Sequence, residues 1–317
     1  MLLNERIDVA FSAQCIRSGV NMETQRVVVT GCSGFLGRYV VKDLTRKGHE
    51  VVGFDIVQPN YPIPAFKKGD FTKKDVALNA IRGASVVCHL GGVGDVYLAD
   101  SDPVLAFKAN AYGTKVICDV SRDLAVAKLV YASTWEVYGS PQRIPVDEMH
   151  PCSPESPYSI SKLAGELFVR HLRASQAVES IALRLGTAYG EGMRETAVIA
   201  RFLTRARQGK ALSIHGNGDQ YRQFTHADDI ANAFSLVVGS PTSSGIFNII
   251  AEQKTTIVDL ARLIAARFEV SLEFEKSRVA DPPSALITSR LAKQELGWVP
   301  NVLFVDGIQR LIEARGA

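Results

Sequence analysis

Short apolar runs alternate with longer amphipathic segments from Arg26 to about Gly186. The runs are rich in strand-forming residues and are bounded by Gly, Asp or Ser: RVVVT (26–30), EVVGFD (50–55), SVVCHL (85–90), KLVYAS (128–133) and SIALRL (180–185). Strands that alternate with helix-length segments are typical of βαβ units. The pattern therefore predicts an α/β fold with a doubly wound parallel sheet, helices on both faces and right-handed crossovers.

The pattern changes after about Gly186. A helical segment at 195–210 precedes a short strand at 211–216, a Gly/Asp turn and another helix at 227–239. The sequence shows neither an internal repeat nor a low-complexity linker between the two regions. We therefore expect a smaller mixed α/β lobe that packs on the first domain, rather than two independent units.

The predicted boundaries are 25–186 for the first domain, with part of 223–250 returning to it, and 187–317 for the second lobe. Residues 1–24 lack the continuous apolar stretch of a signal peptide and precede the first convincing strand. They are either a mobile arm or the result of a mis-assigned start, with Met22 as the natural first residue; we prefer the second interpretation.

Composition narrows the functional classes. The net charge of +3 does not support a nucleic-acid-binding surface. The sequence contains no run of about 18 apolar residues, so it predicts no membrane span. The scattered cysteines form no C-x-x-C pair, so we expect no metal site, no disulfide framework and a reducing, cytoplasmic location. They are Cys15, Cys32, Cys88, Cys118 and Cys152.

A glycine-rich turn follows the first predicted strand and opens a helix; its glycines are Gly31, Gly34 and Gly37. Such glycines allow a tight turn and a close approach of the backbone to a pyrophosphate at the helix N-terminus. Asp55 ends the second strand, where an acid binds both ribose hydroxyls of an adenosine and repels a 2′-phosphate. We predict binding of NAD rather than NADP. Asp70 in GDF (69–71) either contacts the adenine or is a solvated loop acid.

A second candidate site begins at a predicted helix start, where Ser156 suits the N-cap and Pro157 the first helical position. Tyr158 and Lys162 then share one helix face. A neighbouring ammonium and a positive nicotinamide would lower the pKa of the tyrosine, giving a general base that accepts a hydroxyl proton while hydride leaves the same carbon. Thr134 is the candidate for a second hydroxyl on the same substrate oxygen.

These motifs together resemble the extended short-chain dehydrogenases/reductases of the nucleotide-sugar epimerase/dehydratase group, which includes UDP-glucose 4-epimerase. The resemblance runs from about Gln25 to the C-terminus. Besides the glycine turn and the Tyr–Lys pair, the motifs that carry it are, in order, VCHLGG, NAYGT, YASTWEVYG, ALRLGTAYG, HGNGDQYRQFTHADDIANA and RVAD followed by ELGW.

The resemblance implies a Rossmann-type core, a tightly held NAD that is recycled in each turnover, and a C-terminal lobe that binds a nucleotide-diphosphate sugar. It also implies a homodimer formed through the helix of the Tyr–Lys pair and the preceding helix. The cofactor-binding residues implied by the matched motifs are Gly31, Gly34, Phe35, Leu36, Gly37, Asp55, Ile56, Asp70, Phe71, Leu90, Gly91, Ser133, Tyr158 and Lys162.

On the substrate side, Arg222 and Arg278 match the family's arginines that hold the diphosphate, and a guanidinium fork suits phosphate oxygens. The chain departs from the family at Thr187, where Asn is usual, so substrate placement is expected to differ. Asp228 and Asp229 open a helix, and a capping role is at least as well supported as a catalytic one.

The segment Thr134-Trp135-Glu136 bears on the reaction. Dehydratases of the group typically have Thr-Asp-Glu here and decarboxylases Thr-Ser-Glu. Glu136 keeps a base for C5 chemistry, whereas an indole cannot protonate a leaving hydroxyl. We expect a 4-epimerase that works through a 4-keto intermediate. A decarboxylase, a dehydratase-like enzyme using Glu136, and a net carbonyl reductase stay open as alternatives, as does a purely structural Glu136.

Overall fold

The computed structural model of the chain describes residues 24–240, 245–276 and 285–314. The predicted arm therefore lies almost wholly outside the described residues. Parallel strands form the central sheet of the described part, in the order β3-β2-β1-β4-β5-β6-β11. They are β1 (Arg26–Thr30), β2 (Glu50–Asp55), β3 (Ala65–Lys68), β4 (Val86–His89), β5 (Lys128–Thr134), β6 (Glu179–Leu185) and β11 (Gly245–Ile249).

This strand order is that of a doubly wound Rossmann-type sheet, as predicted. The chain starts in the middle, at β1, which pairs with β2 on one side and β4 on the other. Every residue of β5 is buried, because helices cover both faces of the sheet. Strands in this position are typically almost continuously apolar. The crevice outside the carboxyl ends of β1 and β4, where the strand order reverses, is the position at which such sheets bind ligands.

Helices cover both faces of the sheet. One face packs against α1 (Phe35–Arg46) and α8 (Ala227–Gly239), which contact each other. The other packs against α2 (Lys74–Ile81), α5 (Thr114–Asp123) and α6 (Pro157–Ala174). Between α2 and α5 the chain forms α3 (Val96–Ser101), α4 (Pro103–Phe107) and a π-helical turn (Lys108–Gly113), and a short 3₁₀ turn (Trp135–Tyr138) follows β5.

A second apolar cluster forms the core of the C-terminal lobe. Its helices are α7 (Val198–Arg207), α9 (Ile257–Phe268) and α11 (Phe304–Glu313), whereas α10 (Arg290–Leu296) packs on the main sheet side. Small strand pairs join the lobe to the crevice: β7 (Thr187–Tyr189) with β10 (Phe224–His226), β9 (Tyr221–Arg222) with β12 (Thr255–Thr256), and β8 (Leu212–His215) with β13 (Leu272–Glu275). Two elements of the following chain, α8 (Ala227–Gly239) and β11 (Gly245–Ile249), pack on or pair in the main sheet instead.

The described residues place some limits on other chemistry. None of the helices they form is both long and apolar enough to cross a bilayer. They also contain no group of three or more His, Cys, Asp or Glu side chains arranged to hold a metal ion. Cys32, Cys88, Cys118 and Cys152 are free thiols, and Cys15 lies outside the described residues.

Candidate active site

The glycine turn after β1 has a backbone that other residues could not adopt. Gly31 has φ of +69°, and a Cβ there would lie 2.6 Å from the backbone nitrogen of Gly91. A Cβ on Gly37 would lie 2.0 Å from the carbonyl oxygen of Gly31. Gly34 caps α1 without a side chain, so the first N–H groups of the helix point into the crevice unblocked. This cradle suits a pyrophosphate.

Asp55 is fixed at the end of β2 beside that turn. Its carboxylate accepts hydrogen bonds from the backbone N–H groups of Ser33, at 3.0 Å, and Val57, at 3.1 Å. Asp70, by contrast, accepts from the N–H and the hydroxyl of Thr72, at 2.9 and 2.7 Å. Both hydrogen bonds go to Asp70 Oδ1, which therefore stabilises the local turn. The contact of Asp70 with the adenine stays a prediction.

The remaining residues predicted for the cofactor side lie along the same edge of the sheet. Phe35 and Leu36 form the first turn of α1, Ile56 follows β2 and is largely exposed, Phe71 follows β3, and Leu90 and Gly91 follow β4. The Ser133 hydroxyl donates to Glu166 on α6, at 2.6 Å, and its predicted contact with the cofactor stays a prediction.

His89 supports this edge and was missed by the sequence reasoning. The Thr114 hydroxyl donates to the carbonyl of Asn110, at 2.6 Å, so His89 Nε2–H is the donor to Thr114, at 3.1 Å. Its Nδ1 then accepts from Thr30, at 2.7 Å, and Thr30 in turn accepts from the N–H of Gly91, at 3.0 Å. Burial lowers the pKa of His89 to about 3, so the ring stays neutral. The sequence signal that could have revealed His89 is its polar side chain in the otherwise apolar run VVCH.

The helix that carries Tyr158 and Lys162 begins as predicted. Ser156 caps α6 and exchanges hydrogen bonds with Ser159 in a capping box, and Pro157 occupies the first turn. This start places Tyr158 in the first turn, facing the tip of β5, and Lys162 one turn later on the same face. The geometry of the pair follows from local sequence alone.

The Thr134 side chain lies close enough to Tyr158 to act, in the lowering direction, on the pKa of its phenol. Thr134 is buried at the end of β5 and also accepts from the N–H of Glu136, at 3.3 Å. In the chain by itself, burial, and then the charge of Glu136, raise the pKa of Tyr158 well above its ordinary value, so the predicted lowering by a bound nicotinamide stays a prediction. Burial also lowers the pKa of Lys162 to about 7. The protein alone therefore does not generate the phenolate.

Glu136 is half-buried beside Tyr158. Burial raises the pKa of its carboxyl, and Arg194 and then Arg222 act in the opposite direction. Arg194, missed by the sequence reasoning, reaches from the segment after β7 across the crevice. Its Nη1 donates to the carbonyl of Gly94, at 3.0 Å, and lies 3.7 Å from an Asp95 carboxylate oxygen. A cation from the C-terminal lobe thus faces the reacting end of the site.

A small surface pocket adjoins this point. Its lining is Trp135, Gly186, Thr187, Tyr221, Arg222, Gln223, Ile250, Ala285 and Ile287. The structure thus brings the predicted substrate residues Thr187 and Arg222 together beside the Trp135 indole, next to Thr134. The predicted diphosphate ligand Arg278 lies outside the described residues.

The two aspartates that open α8 have structural partners. Asp229 is buried and accepts from the backbone N–H groups of Asn301, at 2.8 Å, and Val302, at 3.2 Å. Asp228 lies within ion-pair distance of Arg310, at 3.5 Å. These contacts support the structural interpretation over the catalytic one.

A family model described as the NAD dependent epimerase/dehydratase family matches residues 27–249, well over half of the chain. The chain belongs to this family. It is similar to UDP-glucose 4-epimerase of Mycolicibacterium smegmatis, with 28% identity over 91% of the chain and 97% of that protein. It is equally similar to dTDP-D-glucose 4,6-dehydratase of Mus musculus, with 28% identity over 91% of the chain and 88% of the relative.

Among solved structures, MoeE5 in complex with UDP-glucose and NAD is 26% identical, with a TM-score of 0.84 over 91% of this chain and 97% of the other. The protein is accordingly an enzyme of the NAD-dependent nucleotide-sugar epimerase/dehydratase family, and NAD is its cofactor. The glycine cradle and Asp55 fit this cofactor. Epimerase and dehydratase relatives match at the same identity, so the family alone leaves the reaction open.

Proposed function

We propose that the protein is a nucleotide-sugar 4-epimerase whose C-terminal lobe, 187–317, holds the nucleotide-diphosphate sugar. The observation that carries the proposal is the close approach of Thr134 to Tyr158, beside a pocket that Trp135 lines. The pair offers two hydroxyls to one substrate oxygen. The indole offers no proton to a leaving group at the position where dehydratases have an aspartic acid.

Each residue has a defined task in this reaction. Tyr158, as a phenolate, takes the proton of the C4 hydroxyl, and Thr134 holds the same oxygen in place. Lys162 supplies the positive charge that makes the phenolate accessible. NAD, when bound, accepts the C4 hydride and gives it back. After the 4-keto sugar turns over in the pocket, Tyr158 would return the proton to the C4 oxygen, and return of the hydride to the opposite face would give the epimer.

The half-buried Glu136 carboxylate favours a second candidate. A C4 ketone acidifies the neighbouring C5–H, and a base beside Tyr158 can remove that proton. Arg194 and Arg222 act to keep Glu136 ionised. A dehydratase-like or decarboxylating enzyme would use this base, although Trp135 removes the usual acid partner.

A panel of UDP-, dTDP-, GDP- and CDP-sugars, with products identified by NMR, tests the proposal. Inversion at C4 without solvent deuterium at C5 supports the epimerase. Deuterium at C5 with loss of the C6 hydroxyl or of CO2 favours the second candidate. Net consumption of external NADH, with no NAD retained on purification, would point to a carbonyl reductase and overturn both.

We also propose a homodimer formed through α6 and the helices before it. Apolar side chains are exposed on this side of the molecule, which is unusual for a surface facing water. They are Tyr97, Val104, Phe107, Tyr112, Ile160 and Leu167. Sedimentation velocity should give a dimer for the wild type and a monomer for Leu167→Glu; a monomeric wild type would contradict the proposal.

A further inference from the structure

A fully buried ion pair lies directly beneath the proposed catalytic residues. Glu166 sits one turn beyond Lys162 on α6 and is completely inaccessible to solvent. Its Oε1 accepts from Arg184 Nη2 at 2.6 Å, and its Oε2 accepts from Arg184 Nε at 3.1 Å. Arg184 lies in β6, so this bidentate pair joins the catalytic helix to the sheet.

The same carboxylate also holds the tip of β5. The Ser133 hydroxyl donates to Glu166 Oε2 at 2.6 Å. Ser133 immediately precedes Thr134, which lies close to Tyr158 at the other end of the same helix face. Glu166 is therefore a single point that fixes both elements supplying the substrate hydroxyl pair.

Arg184 is itself held on every side. Its guanidinium lies 4.7 Å from the centroid of the Tyr138 ring, and Nη2 lies 3.2 Å from the Cys152 thiol. The Tyr138 hydroxyl in turn donates to Asn248 in β11, at 2.7 Å. The network is anchored in the sheet on one side and in the segment leading into α6 on the other.

Stability alone does not explain this arrangement, because apolar side chains of similar volume often stabilise a protein as well as a buried ion pair does. Hydrogen bonds fix the relative orientation of the groups they join, whereas apolar packing does not. We infer that Glu166, oriented by Arg184, is a positioning residue that fixes the position of Thr134 relative to Tyr158 and Lys162. The inference rests on the proposed function of that hydroxyl pair.

The Ser133 hydroxyl allows a test that leaves the ion pair intact. Ser133→Thr and Ser133→Val add the same volume and differ only in whether a hydroxyl can donate to Glu166. Any effect common to both variants reports the added methyl group, and we expect the threonine variant to be the more active of the two. The valine variant should lose at least tenfold in kcat with unchanged KM, and both should retain NAD equally.

Hydrogen–deuterium exchange of the NAD-bound variants provides a readout that does not depend on turnover. Peptides covering 132–138 and 157–166 should exchange faster in Ser133→Val than in Ser133→Thr. Equal exchange and equal kcat in the two variants would overturn the inference, and so would a loss of NAD confined to the valine variant, which would mean a direct cofactor contact. If the wild-type protein is inactive on every nucleotide sugar, the proposed function is wrong. The exchange comparison would still show whether the Ser133–Glu166 hydrogen bond fixes the end of β5.

Glu166→Gln provides a second comparison if it folds, because it keeps the acceptor for Ser133 but leaves Arg184 without its bidentate partner. A fall in kcat with unchanged KM, matched by faster exchange at the β5 tip, supports the inference. Wild-type kcat and exchange in a folded Glu166→Gln protein would contradict it.

Discussion

The Lys162 ammonium lies 4.3 Å from the centroid of the Tyr131 ring, on the strand that ends in Thr134. The aromatic face takes the place of water around a buried cation. This replacement is incomplete, since burial still lowers the pKa of Lys162 to about 7, with the charge of Glu166 opposing the shift. At neutral pH, Lys162 therefore lowers the free energy of unfolding of the cofactor-free protein by a measurable amount.

Replacing this lysine should change how stability depends on pH. An unfolded lysine titrates near pH 10.4, so between pH 7 and 10 the unfolded wild type binds more protons and wild-type stability rises with pH. Lys162→Met lacks this contribution. Its stability relative to cofactor-free wild type should fall by roughly 2 kcal/mol from pH 7 to pH 9. Urea unfolding at both pH values measures the difference.

The exposed Lys42 provides the control, because Lys42→Met should differ from wild type by the same amount at both pH values. A difference between Lys162→Met and wild type that does not change with pH would mean that Lys162 keeps an ordinary pKa in the folded protein.

Removal of the Tyr158 hydroxyl should abolish proton transfer without disturbing the cofactor cradle. Tyr158→Phe is expected to lower kcat by about 10²- to 10⁴-fold, the usual contribution of a general acid–base group. NAD content after purification should stay at the wild-type level. Tyr112→Phe, at an exposed tyrosine, should be fully active. Unchanged turnover in Tyr158→Phe would remove this residue from the mechanism.

Glu136→Gln separates the two candidate reactions, because the amide keeps the shape of the carboxylate and cannot act as a base. A pure 4-epimerase should keep at least about a third of its activity, since this residue lies outside the hydroxyl pair. An enzyme that works at C5 should lose 10²-fold or more. NMR in deuterium oxide, following the label at C5, gives the answer. Glu273→Gln, at an exposed strand position, controls for loss of charge.

The parts of this site that could be predicted from sequence are local. The glycine turn, Asp55 and the Ser156 cap each follow from short-range spacing, and each is found where its motif indicated. Partners far apart in sequence were not foreseen. The tie from Ser133 to Glu166 joins two elements that come together only through the fold, and no periodicity reports it. The burial that raises the pKa of Tyr158 in the chain by itself is likewise a product of the fold and not of any local pattern.

Asp55 should control both affinity for NAD and discrimination against NADP. Its carboxylate is oriented by the N–H groups of Ser33 and Val57, so Asp55→Asn puts an amide donor against at least one of these donors. Loss of the hydrogen bonds that the ribose hydroxyls donate to a charged acceptor should raise the Kd for NAD by about 10- to 100-fold. Binding of NADP should weaken less, because the repulsion of its 2′-phosphate disappears. Calorimetric titration of cofactor-free protein with each dinucleotide measures both constants, and Asp75→Asn, an exposed acid on α2, should leave them unchanged. A ratio of the two Kd values equal to that of the wild type would show that Asp55 does not face the ribose.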